Sequence, residues 1–137
     1  MNFLQWFQKK ETKSPSGSIA EQIAQKFLQT KNFKIITSNF SCKLGEIDII
    51  ATDQNKLIFV EVKYRKNKYG PRTIKAAVPK SKQKKIILTA KWYLKQKYPD
   101  ANQLPACRFD VVTIEGDLES PDIEHYQNAF RADPKIF

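Results

Sequence analysis

Asp48, Glu61 and Lys63 are the residues whose types and spacing could do chemistry. Asp48 sits in Gly45-Glu-Ile-Asp-Ile-Ile50, and Glu61 and Lys63 sit in Phe59-Val-Glu-Val-Lys-Tyr-Arg65. Between these apolar runs lies the turn-forming Asp53-Gln-Asn55, the pattern of a β-hairpin. With a loop of two residues (Gln54-Asn55) or four (Asp53 to Lys56), paired residue numbers sum to 109. Asp48 then stands opposite Glu61, and Glu46 opposite Lys63. A three-residue loop would shift the register by one and send the carboxylates to opposite faces. Directly opposed residues have Cβ atoms about 4.5–5.5 Å apart, where two carboxylates repel by roughly 3 kcal/mol at an effective dielectric near 20. A buried strand selected only for stability avoids that pairing, and a divalent cation beside Lys63 removes the conflict. An ordinary ion-pair ladder, Glu61 with Lys63 and Glu46 with Lys43 or Lys63, would use the same residue types without chemistry. Glu-x-Lys alone favours the ladder. An Asp ending one strand and Glu-x-Lys ending the next, otherwise apolar, strand is far more specific.

The elements that must hold these groups are legible around them. Glu11 to Ser18 is a linker by composition, and Ser18-Ile-Ala-Glu21 is a capping box opening a helix. Ile19, Ala20, Ile23, Ala24, Phe27 and Leu28 share one face of it. Phe33–Thr37 reads as a short strand, followed by Glu46–Ala51 and Leu57–Tyr64. The last begins with four consecutive apolar residues, as strands covered on both faces do. Pro79 and Ser81 open a second helix, with Ile86, Ile87, Ala90 and Leu94 inward, ending before Pro99. Cys107–Ile114 is a further strand, and Ile123–Tyr126 onward to Phe130 an edge strand. The order predicts an α/β sandwich with a mixed sheet: residues 1–16 as an extension and linker, 17–137 as a single domain.

Composition bounds the function. With 24 Lys and Arg against 14 Asp and Glu, the net charge is +10, which speaks for a polyanionic partner or an acidic membrane surface. The charge is concentrated: from Lys56 to Lys97, Glu61 is the only acidic residue. A solvated helix face normally mixes signs. Arg65, Lys66, Lys68, Arg72, Lys75, Lys80, Lys82, Lys84 and Lys85 are therefore candidate phosphate contacts, with Gln83 a candidate positioning residue. Tyr64, Tyr69, Gly70 and Pro71 belong to a loop able to track a backbone or stack on a base. No motif for base-specific readout is present. Cys42 and Cys107 lie far apart without metal-site spacing, which fits a reduced, cytoplasmic protein. The N-terminal Phe3, Leu4, Trp6 and Phe7 are too few and too interrupted for a signal peptide, and no apolar run is long enough for a membrane span.

The two strand motifs, in this context, resemble the YraN family of uncharacterised proteins, which is similar to archaeal Holliday-junction resolvases and belongs with the PD-(D/E)xK nucleases. The resemblance extends to Gly17-Ser-Ile-Ala-Glu-Gln-Ile-Ala24, Ser81-Lys-Gln-Lys84, Cys107-Arg-Phe-Asp-Val-Val112 and Asn128-Ala-Phe130, covering about residues 17 to 130 in order. It implies a restriction-endonuclease-like αβββαβ sandwich with a central mixed sheet. By resemblance, Asp48 and Glu61 hold Mg²⁺ (or Mn²⁺), with the Val62 carbonyl as a further ligand, and Lys63 orients or deprotonates the attacking water. A hard cation prefers such oxygen ligands and lowers the pKa of bound water. Glu21 matches a helical glutamate of resolvase-like members that touches the metal or its water, and is equally the third residue of the capping box; both readings stand. Relatives often carry Arg at the position of Ser41.

The expected function is a metal-dependent endonuclease acting on branched or structured nucleic acid, DNA or RNA, through sequence-independent backbone binding. A non-catalytic nucleic-acid-binding module on the same fold is the alternative. A homodimer is compatible with resolvase-like work, since a four-way junction presents two cut sites. His125, without a sequence partner, reads as structural. Arg108 and Asp110, on one strand face, read as an ion pair. Trp92 and Tyr93 read as packing residues.

Overall fold

A computed structural model describes residues 13–67 and 74–132, apart from the side chains of residues 75 and 76. Lys68 and Arg72, the N-terminal aromatic segment, and the loop residues Tyr69, Gly70 and Pro71 lie outside the described residues, and so does the side chain of Lys75.

Helix α1 spans Pro15–Thr30, beginning one turn earlier than the capping-box reading expects. The Ser14 side chain accepts the Gly17 N–H at 3.1 Å, and Pro15 sits where a helix tolerates proline best, in its first turn. Residues 15 and 16, expected in the linker, are thus helical, and Glu21 is an interior helix residue with no capping role. The inward stripe is Ala20, Ala24 and Leu28, while Ile19 is 46% exposed. At the helix end, Asn32 adopts φ 68°, and the Phe33 and Asn32 N–H groups donate to the carbonyls of Leu28 and Gln29. That Schellman arrangement stops the helix and launches the first strand.

Strands β1 (Lys34–Cys42), β2 (Gly45–Asp53) and β3 (Lys56–Arg65) form an antiparallel meander. A four-residue helix α2 (Ile74–Ala77) interrupts the segment expected to be loop, and helix α3 (Lys80–Lys97) follows. A single 3₁₀ turn, Ala101–Gln103, precedes β4 (Ala106–Glu115) and β5 (Asp122–Phe130). The sheet order is β1-β2-β3-β4-β5, with β3 and β4 parallel and the other pairs antiparallel. A parallel pair needs a crossover, and α3 supplies it. Among the described residues this is an α/β fold with a five-stranded mixed sheet and two long helices, consistent with a restriction-endonuclease-like αβββαβ arrangement.

The sheet separates two apolar layers. On the α1 side, Ala20, Ala24, Leu28 and Phe33 pack on Ile49, Ala51, Ile58, Val60, Val112 and Ile114. On the α3 side, Ile86, Ile87, Ala90, Tyr93 and Leu94 cover Ile50, Leu57, Phe59, Phe109, Val111 and Phe130. Phe59, Phe109 and Phe130 stack in a row, with centroids 5.4 and 5.2 Å apart. Tyr93 and Trp92 pack against Phe40, as packing residues should. Gly45, at φ 153°, admits the close approach of β2 to α3: a Cβ there would meet Thr89 Oγ1 at 2.9 Å. Among the described residues, no helix is long and apolar enough to cross a membrane.

Candidate active site

The β2–β3 hairpin closes through the two-residue loop Gln54-Asn55, with Asp53 facing Lys56 and Ile49 facing Val60. Every pair sums to 109, so the expected register holds. Gln54 takes φ 57° to make the turn. Pairing stops at Ile49–Val60. Beyond it the Val62 N–H donates to Asp48 Oδ2 at 2.8 Å, so a side chain replaces the ladder and the strands part around the two acids.

Side-chain alternation also breaks here. Ile47 joins the α3-side core and Ile49 the α1-side core, although residues two apart on a strand ordinarily share a face. The break falls at Asp48, whose position across β1 is that of Asn39, at φ 56°. The Asp48 carboxylate therefore works from the gap between β2 and β3 and reaches groups from both layers. Asp48, Glu61 and Lys63 line one cleft of about 270 Å³, together with Lys13, Glu21, Glu46 and Lys82. They are gathered by the parting of two strands, not by a flat run of one sheet face.

Lys13 touches Glu21 Oε1 and lies 2.6 Å from Asp48 Oδ1. Lys82, reaching down from α3, lies 2.7 Å from Glu61 Oε1. Glu61 is buried, and its pKa is pushed up to about 8 by burial and by the negative charge of Asp48, with Lys82 opposing. Lys82 is raised in turn: burial disfavours its charge, but Glu61, Asp48 and Glu46 favour it more strongly. Lys63 lines the cleft and forms no ion pair among the described residues.

Other candidates are placed less centrally. Gln83 is buried and its amide donates to the Val78 carbonyl at 2.9 Å; it braces the entry to α3 and does not line the cleft. Arg65 is tied to Glu115 at 2.7 Å across the β3–β4 pair. Lys66, Lys80, Lys84 and Lys85 are exposed. Lys13 escaped the sequence reading of the site because it lies in a stretch with linker composition; Lys82 was read as a phosphate contact, and the structure pairs it with Glu61 instead of leaving it on the open surface.

The donor chemistry suits a hard divalent cation. Asp48 and Glu61 are close enough to share a hydrogen bond when one is protonated, and an ammonium already stands between Asp48 and Glu21. The N–H and C=O of one strand residue point to the same edge, so the Val62 carbonyl opens onto the same gap. Among the described residues no three His, Cys, Asp or Glu groups are already drawn together as a ligand set.

The fold and cleft define an α/β protein with a restriction-endonuclease-like sheet and a carboxylate–lysine site at its parted strands. The chain belongs to the uncharacterised protein family UPF0102, whose family model matches residues 20–114. It is 41% identical over 123 residues to a UPF0102 protein of Psychromonas ingrahamii, covering 88% of this chain and 93% of that protein. A UPF0102 protein of Colwellia psychrerythraea is 39% identical over 129 residues, covering 91% and 98%. One from Geotalea daltonii is 45% identical over 117 residues, covering 83% and 87%.

Proposed function

We propose that this protein is a metal-dependent endonuclease that cuts branched or structured nucleic acid, held by its backbone without sequence preference. Glu61 carries this reading. It is a buried carboxylate raised to about 8 beside a second acid, in a cleft that also holds Lys63. Opposed burial and charge of this kind mark sites selected for chemistry over stability.

Asp48 and Glu61, with Glu21 and the Val62 carbonyl, are the groups that would hold Mg²⁺ or Mn²⁺. When bound, the ion supplies a polarised phosphoryl oxygen and a water of lowered pKa. Lys63 orients that water or takes its proton at Nζ. The Val62 N–H fixes the Asp48 carboxylate, so Asp48 meets its ligand already oriented. Lys66, Lys80, Lys84 and Lys85 grip phosphates, contacts that give affinity without reading bases. The free cysteines suit the reducing cytoplasm, where we place the protein.

The pairing of Asp48 with Lys13 and of Glu61 with Lys82 favours a second reading, a nucleic-acid-binding module whose acids are permanently neutralised from within. Incubation with junction, flap, single-stranded and RNA substrates in Mg²⁺ or Mn²⁺ separates the two. The nuclease cuts branched substrates, and Lys63→Ala slows it about 10²–10⁴-fold, as loss of a general base does, with binding retained. Asp48→Ala abolishes cutting and leaves binding intact or tighter. Binding without cutting across the whole panel selects the module.

A further inference from the structure

We infer that Lys13 is an internal competitor for the divalent cation, its ammonium occupying the position between Asp48 and Glu21 until the ion displaces it; the inference rests on the metal-site reading above. Three observations converge on Lys13. Its Nζ contacts two carboxylates from different elements, Glu21 of α1 and Asp48 of β2, as a bridging cation would. The other Asp48 oxygen is already held by the Val62 N–H, so Lys13 takes the oxygen that remains for a ligand. Finally, Lys13 precedes the N-cap Ser14, outside the hydrogen-bonded body of α1.

That last point distinguishes it from Lys82. Lys82 is rooted in the first turn of an 18-residue helix packed on the sheet, and its backbone cannot move without moving α3. Lys13 can leave by rotation of its own side chain and of the backbone before Ser14, with the helix cap intact. Among the described residues, Glu61 thus has a fixed cation and Asp48 with Glu21 a displaceable one. Metal and Lys13 exclude each other, and the coupling is reciprocal: whatever factor Lys13 takes from metal affinity, metal takes from the Lys13 contact. If Lys13 is engaged nine-tenths of the time, the apparent metal affinity is lowered about tenfold.

Manganese titration by calorimetry on the full chain tests this directly, comparing wild type, Lys13→Gln and Asp48→Asn. Lys13→Gln should bind Mn²⁺ about tenfold tighter than wild type, and Asp48→Asn should lose binding. A second measurement needs no variant. Acylation of surface amines, read by mass spectrometry, should rise severalfold at Lys13 on addition of Mn²⁺ and stay constant at exposed Lys95 of α3. If Lys13→Gln binds no tighter than wild type while Asp48→Asn still loses the metal, the competitor role is overturned and the metal site stands. Unchanged acylation of Lys13 in wild type saturated with Mn²⁺ overturns the role equally. If neither wild type nor Lys13→Gln binds Mn²⁺, the metal-site reading falls and this inference with it.

Discussion

Asp110 and Glu61 lie on neighbouring strands, β4 and β3, and both are buried, yet their surroundings drive them in opposite directions. Burial pushes Asp110 up, but donors outweigh it. His125 Nε2 lies at 2.8 Å, Arg108 Nε and Nη2 at 2.8 and 2.9 Å, and the Asn128 N–H at 2.9 Å. The net result is a lowered pKa. Glu61 is raised by burial and by the acid at its side, against which Lys82 is the one opposing cation among the described residues. The same residue class at similar depth thus serves two ends. Where every acceptor is filled, a buried carboxylate is a structural pin, here tying β4, β5 and, through Arg108 and Asp53 at 3.6 Å, the β2–β3 turn. Where acceptors are left under-supplied, it is a group waiting for a ligand. The sequence-based reading of His125 as structural and of Arg108–Asp110 as an ion pair agrees with the first case.

Replacing each acid by its amide should split the two regions most sharply. Asp110→Asn leaves Arg108 and His125 facing a group that cannot balance them, and should cost about 3–5 kcal/mol in denaturant unfolding, the range for breaking a buried ion pair. Glu61→Gln in metal-free protein replaces a carboxyl that is raised to about 8 and so largely protonated at neutral pH; it should leave stability unchanged there and raise it above about pH 8, where the charge conflict with Asp48 develops. Equal losses in both variants would erase the distinction.

Acidity gives the second contrast. Glu61 is raised from 4.5 to about 8, so its stabilising contribution is present below pH 4.5 and is lost as pH rises through about 8. Asp110 is lowered from 3.8, so its contribution is present above pH 3.8 and lost only on acidification through its folded pKa. Thermal melting of the metal-free protein between pH 5 and 9 (an interval chosen to span roughly the Glu61 titration) should show a falling melting temperature. Glu61→Gln should flatten that fall, and added Mn²⁺ should oppose it.

The basic surface gives a smaller effect. With about five phosphate contacts on duplex DNA, log K should fall against log salt with a slope near −4 to −5. Changing Lys80, Lys84 and Lys85 to Gln should make the slope shallower by about 2–3, measured by fluorescence anisotropy. Lys82 is left in place, because neutralising it uncovers Glu61 and mixes two effects. The smallest effect belongs to Glu21. With its capping role gone, Glu21 is a buried carboxylate whose partner Lys13 keeps Asp48, so the isosteric Glu21→Gln should lower unfolding free energy by only about 1 kcal/mol, while weakening Mn²⁺ binding. A stability loss larger than that, with metal affinity unchanged, would return Glu21 to a structural role.

Local rules determined much of this protein from its sequence. Period-two alternation and the Asp53-Gln-Asn-Lys56 turn set the β2–β3 register, because a tight loop leaves few ways to pair the strands it joins. The apolar run Leu57–Val60 marked a doubly covered central strand, and the 3.6-residue spacing of Ile86, Ile87, Ala90 and Leu94 marked the buried face of α3. Helix α1 was legible as a helix but not in its start, since Ser14-Pro15 and Ser18 both offer caps and only packing chooses between them. Tertiary structure decided the rest. The break in alternation at Asp48 depends on Asn39 across the β1 pair, and the supply of donors to Asp110 comes from β5, 15 and 18 residues away. Lys13 meets Asp48 across 35 residues and Lys82 meets Glu61 across 21. Such contacts form between elements brought together by burial of their apolar faces, and no spacing along the chain encodes which cation will face which acid.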